Sequence, residues 1–319
     1  MREDSNDELI SSRKSIFYYN DLQGEGDPVL AKIPRYYLIG YPSVLIRDVK
    51  NGVLPFENYK ISIDPPNEEI ELLIGNGFNT GRYNLNFEKA VSNLIRDCAS
   101  SIMAFGEAVY EIIYFTDPAD NKIVKFKLGF IQQKTVMWQR NKLVQYIPEK
   151  LSEQYKTSFI DLSPEAILIF KLSDDLQRKI KRIMKELTTL DHPPIVEEFI
   201  FNTTKKNVPY DVNKHIHTQN MAIAKIGSSI GWIPPNISLK FNEYYDTYQF
   251  LLFQEFKIKL RNTILKTLND VLKVIGDKMG FSAQIKIEGL PSLETVQTMK
   301  KDLENGTKSF KEVVDAFYK

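Results

Sequence analysis

Apolar residues recur at three-and-four spacing from Phe87 to Met103 (Phe87, Ala90, Val91, Leu94, Ile95, Cys98, Ile102, Met103), with Asn86 in front and Gly106 behind. That spacing lays one apolar stripe along a helix, and an Asn before it and a Gly after it are ordinary stop signals, so the pattern predicts a helix over 87–104. The period then changes. Ala108 to Phe115, Ile123 to Ile131, Thr135 to Gln139, Leu143 to Ile147 and Ala166 to Leu172 are rich in β-branched and aromatic residues, with Asp117–Asp120 and Arg140–Lys142 as turn chemistry between them. A mostly antiparallel sheet carrying one helix is expected. Upstream, Tyr36–Ile39, Ser43–Ile46 and Tyr59–Ile63 are short apolar pieces cut by Pro42, Pro55, Pro65 and Pro66, which reads as irregular strands and turns over 33–74. Residues 1–30 mix charge, Ser, Asn and Gly and read as a flexible N-terminal arm outside the core.

After Leu172 the pattern is helical. Ser173 is placed to cap a helix over 174–190 with acids at its start, and Asp191-His-Pro-Pro194 stops it. A small piece, 195–209, precedes a second helix over 211–230, which Gly231-Trp-Ile-Pro-Pro-Asn236 breaks sharply. From Leu239 to Ile275 no Pro or Gly intervenes, and a helix of that length spans about 55 Å. Its first half is apolar on nearly every face (Tyr244, Tyr245, Tyr248, Phe250 to Phe253, Phe256, Ile258), whereas Leu260, Ile264, Leu268 and Ile275 form one stripe. A strand over 283–288, a helix over 293–304 behind Ser292, and a last helix opened by the capping box Ser309-Phe-Lys-Glu312 complete the chain. The expected class is α+β: an arm at 1–30, an α+β domain at 31–172, two helices with a short insert and a loop at 173–238, and the long helix with a small helical end at 239–319.

Charge narrows the options. The 319 residues carry 42 Lys and Arg against 41 Asp and Glu, a net charge of +1, so no global field draws the chain to nucleic acid, and any polyanion contact is local. One cysteine makes no intramolecular disulfide, and three histidines with one thiol are too few for a structural zinc site. Apolar runs such as Ala166–Phe170 are far shorter than a membrane span. The acidic N-terminus lacks the basic-then-apolar order of a secretory signal, and an intracellular setting is expected.

Catalytic signatures are absent. Gly75-Asn-Gly77-Phe-Asn-Thr-Gly81 reads as a loop, since its spacing is not that of a dinucleotide fold, and no P-loop, G-x-S-x-G or H-E-x-x-H motif occurs. His215-Ile-His217 with Asp211 is a poor metal set, because alternate residues of a helix face different ways. Cys98 sits on an apolar stripe, where a thiol packs as a small hydrophobe. Glu68, Glu69 and Glu71, and Asp174 and Asp175, read as solvated faces or helix starts. Two local basic groups stand out: Arg178, Lys179, Lys181, Arg182 and Lys185, and then Lys205, Lys206, Lys214 and His215. Repeated around a symmetry axis, such patches become a ring of positive charge suited to sliding contact with a phosphate backbone.

The order of elements resembles a phage portal protein over roughly residues 85–319. Four stretches carry the resemblance: Ala104-Phe-Gly-Glu-Ala-Val-Tyr-Glu-Ile112; Ile223-Ala-Lys-Ile-Gly-Ser-Ser-Ile-Gly-Trp-Ile-Pro-Pro235; the long helix with its Leu-rich 260–272 section; and Ile285-Lys-Ile-Glu-Gly-Leu-Pro-Ser-Leu-Glu294 followed by Leu303 to Glu312. Departures are Ile230 where the family has phenylalanine, bulky Trp232 and Ile233, and a short chain. The resemblance implies a homo-oligomeric ring, usually a dodecamer, at one capsid vertex of a bacteriophage virion, assembled in the host cytoplasm. Double-stranded DNA would pass through it during packaging and ejection. The implied partners are the terminase large subunit, the major capsid protein, scaffold and head–tail adaptor proteins, with no membrane, cofactor, metal or catalytic residue. It also implies a wing (sheet and long helix), a stem (174–190 and 211–230), a clip (195–209) and a tunnel loop of Trp232, Ile233, Pro234, Pro235 and Asn236. Lys179, Lys205, Lys206, Lys214 and His215 are then expected to face channel or motor, and Tyr244, Tyr248, Leu252 and Phe256 the neighbouring subunit. Two other readings stand beside it: a monomeric adaptor or scaffold, and an enzyme acting on a nucleotide or nucleic acid through the Gly75–Gly81 loop.

Overall fold

The computed structural model describes residues 9–15, 40–55, 57–80, 85–132, 135–147, 156–191, 212–234 and 242–317. The fold is α+β with antiparallel sheets and one long helix. The chain divides into two units.

The first unit is built from 53–172, the segment 260–289 and the N-terminal residues. Strand β1 (Ile10–Ser11) comes first, then β2 (Lys60–Asp64), helix α2 (Glu68–Phe78) and helix α3 (Phe87–Phe105). Here α1 denotes Gly40–Val53, which belongs to the second unit apart from its last residue. The predicted helix and its caps are found: the Asn86 side chain accepts from the Lys89 amide, and Gly106 closes the C-terminus. Strands β3 (Glu107–Thr116), β4 (Ile123–Ile131), β5 (Val136–Gln139), β6 (Lys142–Tyr146), β7 (Phe159–Asp161) and β8 (Ile167–Lys171) follow. The expected single sheet is three: β1 and β8 lie end to end along one edge of β3 with β4 on the other, β5-β6-β7 form a second, and β2 pairs with β9 (Gln284–Glu288) in a third. The apolar stripe of α3, including Leu94, Ile95, Cys98 and Ile102, is wholly buried, as is most of β3.

Two expectations upstream of α3 are overturned. Residues 40–53 and 68–78 are helices, and only β2 is a strand. Pro42 lies in the first turn of its helix, where no amide hydrogen bond is lost, and Pro65 and Pro66 fall before the cap Asn67, whose side chain accepts from Glu69 and Ile70 amides. The glycine-rich stretch is likewise helix rather than loop through Gly77. A Cβ at Gly75 would stand 2.9 Å from the Phe87 backbone, and one at Gly77 would overlap the Phe126 ring. These glycines let α2 press against α3 and β4, while Gly81 lies outside the described residues.

The N-terminal residues do not stand off as an arm. Ile10 and Ser11 pair with Thr116 and Phe115, the Ser12 amide donates to the Tyr114 carbonyl at 2.9 Å, and the Tyr114 amide donates to Ser12 Oγ at 2.9 Å. Glu111, only 2% exposed, holds the end of the strap: one oxygen accepts from the Lys14 amide at 2.9 Å, the other from the Ser15 amide at 2.9 Å and from the Ser15 hydroxyl. A buried carboxylate needs such donors, and residues 12–15 bring them.

The second unit takes 40–52, 173–259 and 290–317 of the described chain. It holds α1, α4 (Asp174–Asp191), α5 (Val212–Gly227) with a 3-10 turn Ser228–Ile230, the first half of α6 (Glu243–Met279), α7 (Leu293–Asn305) and α8 (Phe310–Asp315). Helix α6 has the expected 37 residues but starts and ends four later than predicted. Asn242 caps it, accepting from the Tyr245 amide at 2.7 Å, and it runs on through Gly276. Leu251 and Ile258 of α6 pack with Val296, Met299, Leu303 and Val313 from α7 and α8, and both capping boxes read at Ser292 and Ser309 are formed.

Candidate functional site

The helical pair and break that the pattern singles out lie in the second unit. Amphipathic α4 buries Ile180, Ile183, Met184 and Leu187 and packs against α5. Helix α5 tightens into the 3-10 turn and stops at Gly231, whose φ of +76 lies in the left-handed region. A side chain there would also strike the Gln249 carbonyl and Phe253 amide of α6, so only glycine fits. Trp232 follows. It is 1% exposed, and its Nε1–H donates to Asp48 Oδ2 of α1 at 2.9 Å. The expectation of a large apolar side chain without a core partner is therefore corrected: Trp232 is pinned inside its own chain, because a buried indole needs one acceptor and Asp48 supplies it. Pro234 is buried, Ile233 is half-buried, and Pro235 and Asn236 lie outside the described residues.

A charged group surrounds the first half of α6. Glu255 accepts from Lys259 at 2.5 Å and from Lys300 of α7 at 2.5 Å, and Lys300 also lies 5.8 Å from the Tyr248 ring centre. Burial pushes the Glu255 carboxyl up, but the two lysine hydrogen bonds outweigh it and hold the group below its ordinary value. Lys179 of α4 is lowered by burial first, then by the neighbouring charges of Arg182 and Lys259. Like charges thus crowd here with one carboxylate between them.

Of the remaining predicted residues, Lys214 is exposed on α5, the His215 side chain is outside the description, and so are Lys205 and Lys206 with the whole 195–209 segment. The expected interface residues differ in placement. Tyr244 is 43% exposed and stacks on Tyr248 with ring centres 6.4 Å apart, Leu252 is half-buried, and Phe256 is 5% exposed within its own chain. Phe256 is thus a core residue, and an acid at that position would break the fold before any assembly.

Cys98 is fully buried with its Sγ 3.8 Å from the Tyr110 hydroxyl, and burial pushes both groups up, so the thiol stays protonated. Among the described residues no cluster of three His, Cys, Asp or Glu is placed to hold a metal ion, and no helix is long and apolar enough to cross a membrane. Sequence reasoning missed Asp48, Glu111 and the Glu255 bridge. Each is one acid among 41, and the partners of Asp48 and Glu111 lie 184 and 97 residues away in the chain. No protein-family model matches the chain, and no curated protein matches it.

Proposed function

We propose that this chain is a portal-type ring subunit, a channel for double-stranded DNA at a capsid vertex rather than an enzyme. The observation that carries the reading is the order of elements after residue 85: a helix-Gly-strand passage into an antiparallel sheet, an α4–α5 pair, a left-handed glycine break, a 37-residue helix, a strand, and two helices opened by capping boxes. Each of the four sequence stretches that resemble the family falls on the element the family would require there. The reading needs no catalytic group, and terminase, capsid and adaptor proteins are its proposed partners.

Mass measurement of the purified full chain tests it, with electron micrographs of the same sample. A closed ring of many 36.9 kDa copies, usually twelve in such proteins, is the expected result. The burial of Trp232 and Phe256 inside the chain favours the second reading, a monomeric adaptor, because it removes two large apolar groups from the available surface. Monomers at every concentration would establish that reading instead.

A further inference from the structure

Two exposed patches on this chain are complementary in both shape class and charge. On α2, Glu68 and Leu72 are four residues apart and so share a face, with Glu69 beside them. Leu72 is 67% exposed, and Glu68 and Glu69 form no ion pair among the described residues. The macrodipole accounts for acids in the first turn of α2, but it does not account for a leucine held out in water between them. On α6, Tyr244, Tyr248, Glu255 and Lys259 fall within about 60° of one another at 100° per residue, so they form one stripe. That stripe shows water the Tyr244 ring, 43% exposed, flanked by Lys259 and Lys300, with Lys179 nearby and Glu255 as the carboxylate between them.

We propose that these patches form a head-to-tail contact between two copies of this chain, in which Leu72 of one copy seats against Tyr244 of the next while Glu68 and Glu69 meet Lys259 and Lys179. Contact between two different patches of one chain is heterologous, and repetition of a heterologous contact closes a ring when its rotation allows. An apolar anchor inside a charged rim is the usual anatomy of such a surface, and opposite charge sets its register. The proposal rests on the ring reading and names the surface that reading requires.

Charge-swap rescue in the full chain tests it, with native mass spectrometry as the readout. The unmutated chain, the pair Glu68→Lys with Glu69→Lys, the pair Lys179→Glu with Lys259→Glu, and the four changes together are compared at about 0.15 M salt, where exposed charges are screened beyond about 8 Å. Each pair is expected to raise the assembly midpoint at least about tenfold, and the fourfold variant to restore it. All four changes are at exposed or half-buried positions, and Leu72→Arg is a further variant that leaves the basic group intact and is expected to block assembly by itself. If the unmutated chain forms rings and either pair still does, or the fourfold variant stays dissociated, the contact is wrong while the ring reading stands. If the Lys179 and Lys259 pair keeps its rings and loses only affinity for double-stranded DNA, the basic group is a polyanion surface and the proposal fails. If the unmutated chain is monomeric throughout, the ring reading fails first.

Discussion

Glu111→Gln removes the charge on which residues 12–15 are hung while leaving the side chain's size unchanged. In the native arrangement its two oxygens receive three donors: the Lys14 amide, the Ser15 amide and the Ser15 hydroxyl. A glutamine offers one acceptor oxygen and turns an NH2 group toward the remaining donors, so at least one interaction becomes repulsive. Hydrogen bonds to a buried charge are worth about 1.5–3 kcal/mol each, and three would total roughly 5–9 kcal/mol if the strap had to stay in place. It does not have to. The strap adds only two strand pairs, Ile10 with Thr116 and Ser11 with Phe115, and Ile10 is 58% exposed, so the cheaper response is local release into water. The loss is then capped by the docking free energy of the strap, about 1.5–3 kcal/mol, which accelerates amide exchange at Ser12, Lys14 and Ser15 by roughly ten- to hundredfold. Hydrogen exchange read residue by residue is the assay, with Leu94 and Ile95 amides in α3 as controls that are expected to hold their rates. Unchanged protection at Lys14 and Ser15 in the glutamine variant would refute the reasoning, because the carboxylate would then not be what holds the strap.

Three other outcomes follow from the packing. Gly77→Ala is expected to lower stability by about 1–3 kcal/mol in urea unfolding, since its methyl group overlaps the Phe126 ring that α2 packs on. Trp232→Phe removes the bond to Asp48 and should cost about 1.5–3 kcal/mol; emission should shift to the red in the same variant, because the tryptophan left behind, Trp138, is 67% exposed. Glu255 has a folded pKa held below its unfolded value of about 4.3, so its contribution is present above that pH and is lost as pH falls through the folded value. Acid titration of Glu255→Gln should therefore show a shallower loss of stability below about pH 4 than the parent chain.

What was legible in the sequence is what local chemistry decides. The α3 stripe between Asn86 and Gly106, the strands from β3 to β8 except three-residue β7, and the two capping boxes each carry their signal within a few residues. The errors share a cause. Gly75 and Gly77 look like loop residues because glycine disfavours helix by about 1 kcal/mol each, and only the approach of Phe87 and the Phe126 ring reverses that preference. The prolines near residue 42 and residues 65–66 look like strand breakers, yet they mark the start of one helix and the approach to the cap of another. At the candidate site, the break at Gly231 was legible from glycine and proline alone, whereas the fate of Trp232 depended on Asp48, a residue that nothing in the local sequence marks.

The same inward turn of aromatic side chains sets how any ring of this chain must hold together. From sequence, the crowded first half of α6 offers apolar area to a neighbour; in the fold Leu251, Phe256 and Ile258 are spent on the chain's own core with α7 and α8, and Tyr244 is the large apolar group of that stretch still exposed. An interface left with one tyrosine, Leu72 and a set of lysines and glutamates lacks the broad apolar centre of an obligate oligomer. Its free energy is then carried by opposite charges at its rim, which salt screens over about 10 Å at 0.1 M and about 3 Å at 1 M. Assembly is therefore expected to weaken as salt rises: sedimentation velocity between about 0.05 and 0.5 M sodium chloride should show the midpoint concentration climbing by at least about tenfold. An apolar interface behaves in the opposite sense, since strongly hydrated salts such as sulfate strengthen burial. Rings that persist unchanged across this range, or tighten in sulfate at matched ionic strength, would mean that the contact buries an apolar surface other than the α2 and α6 patches.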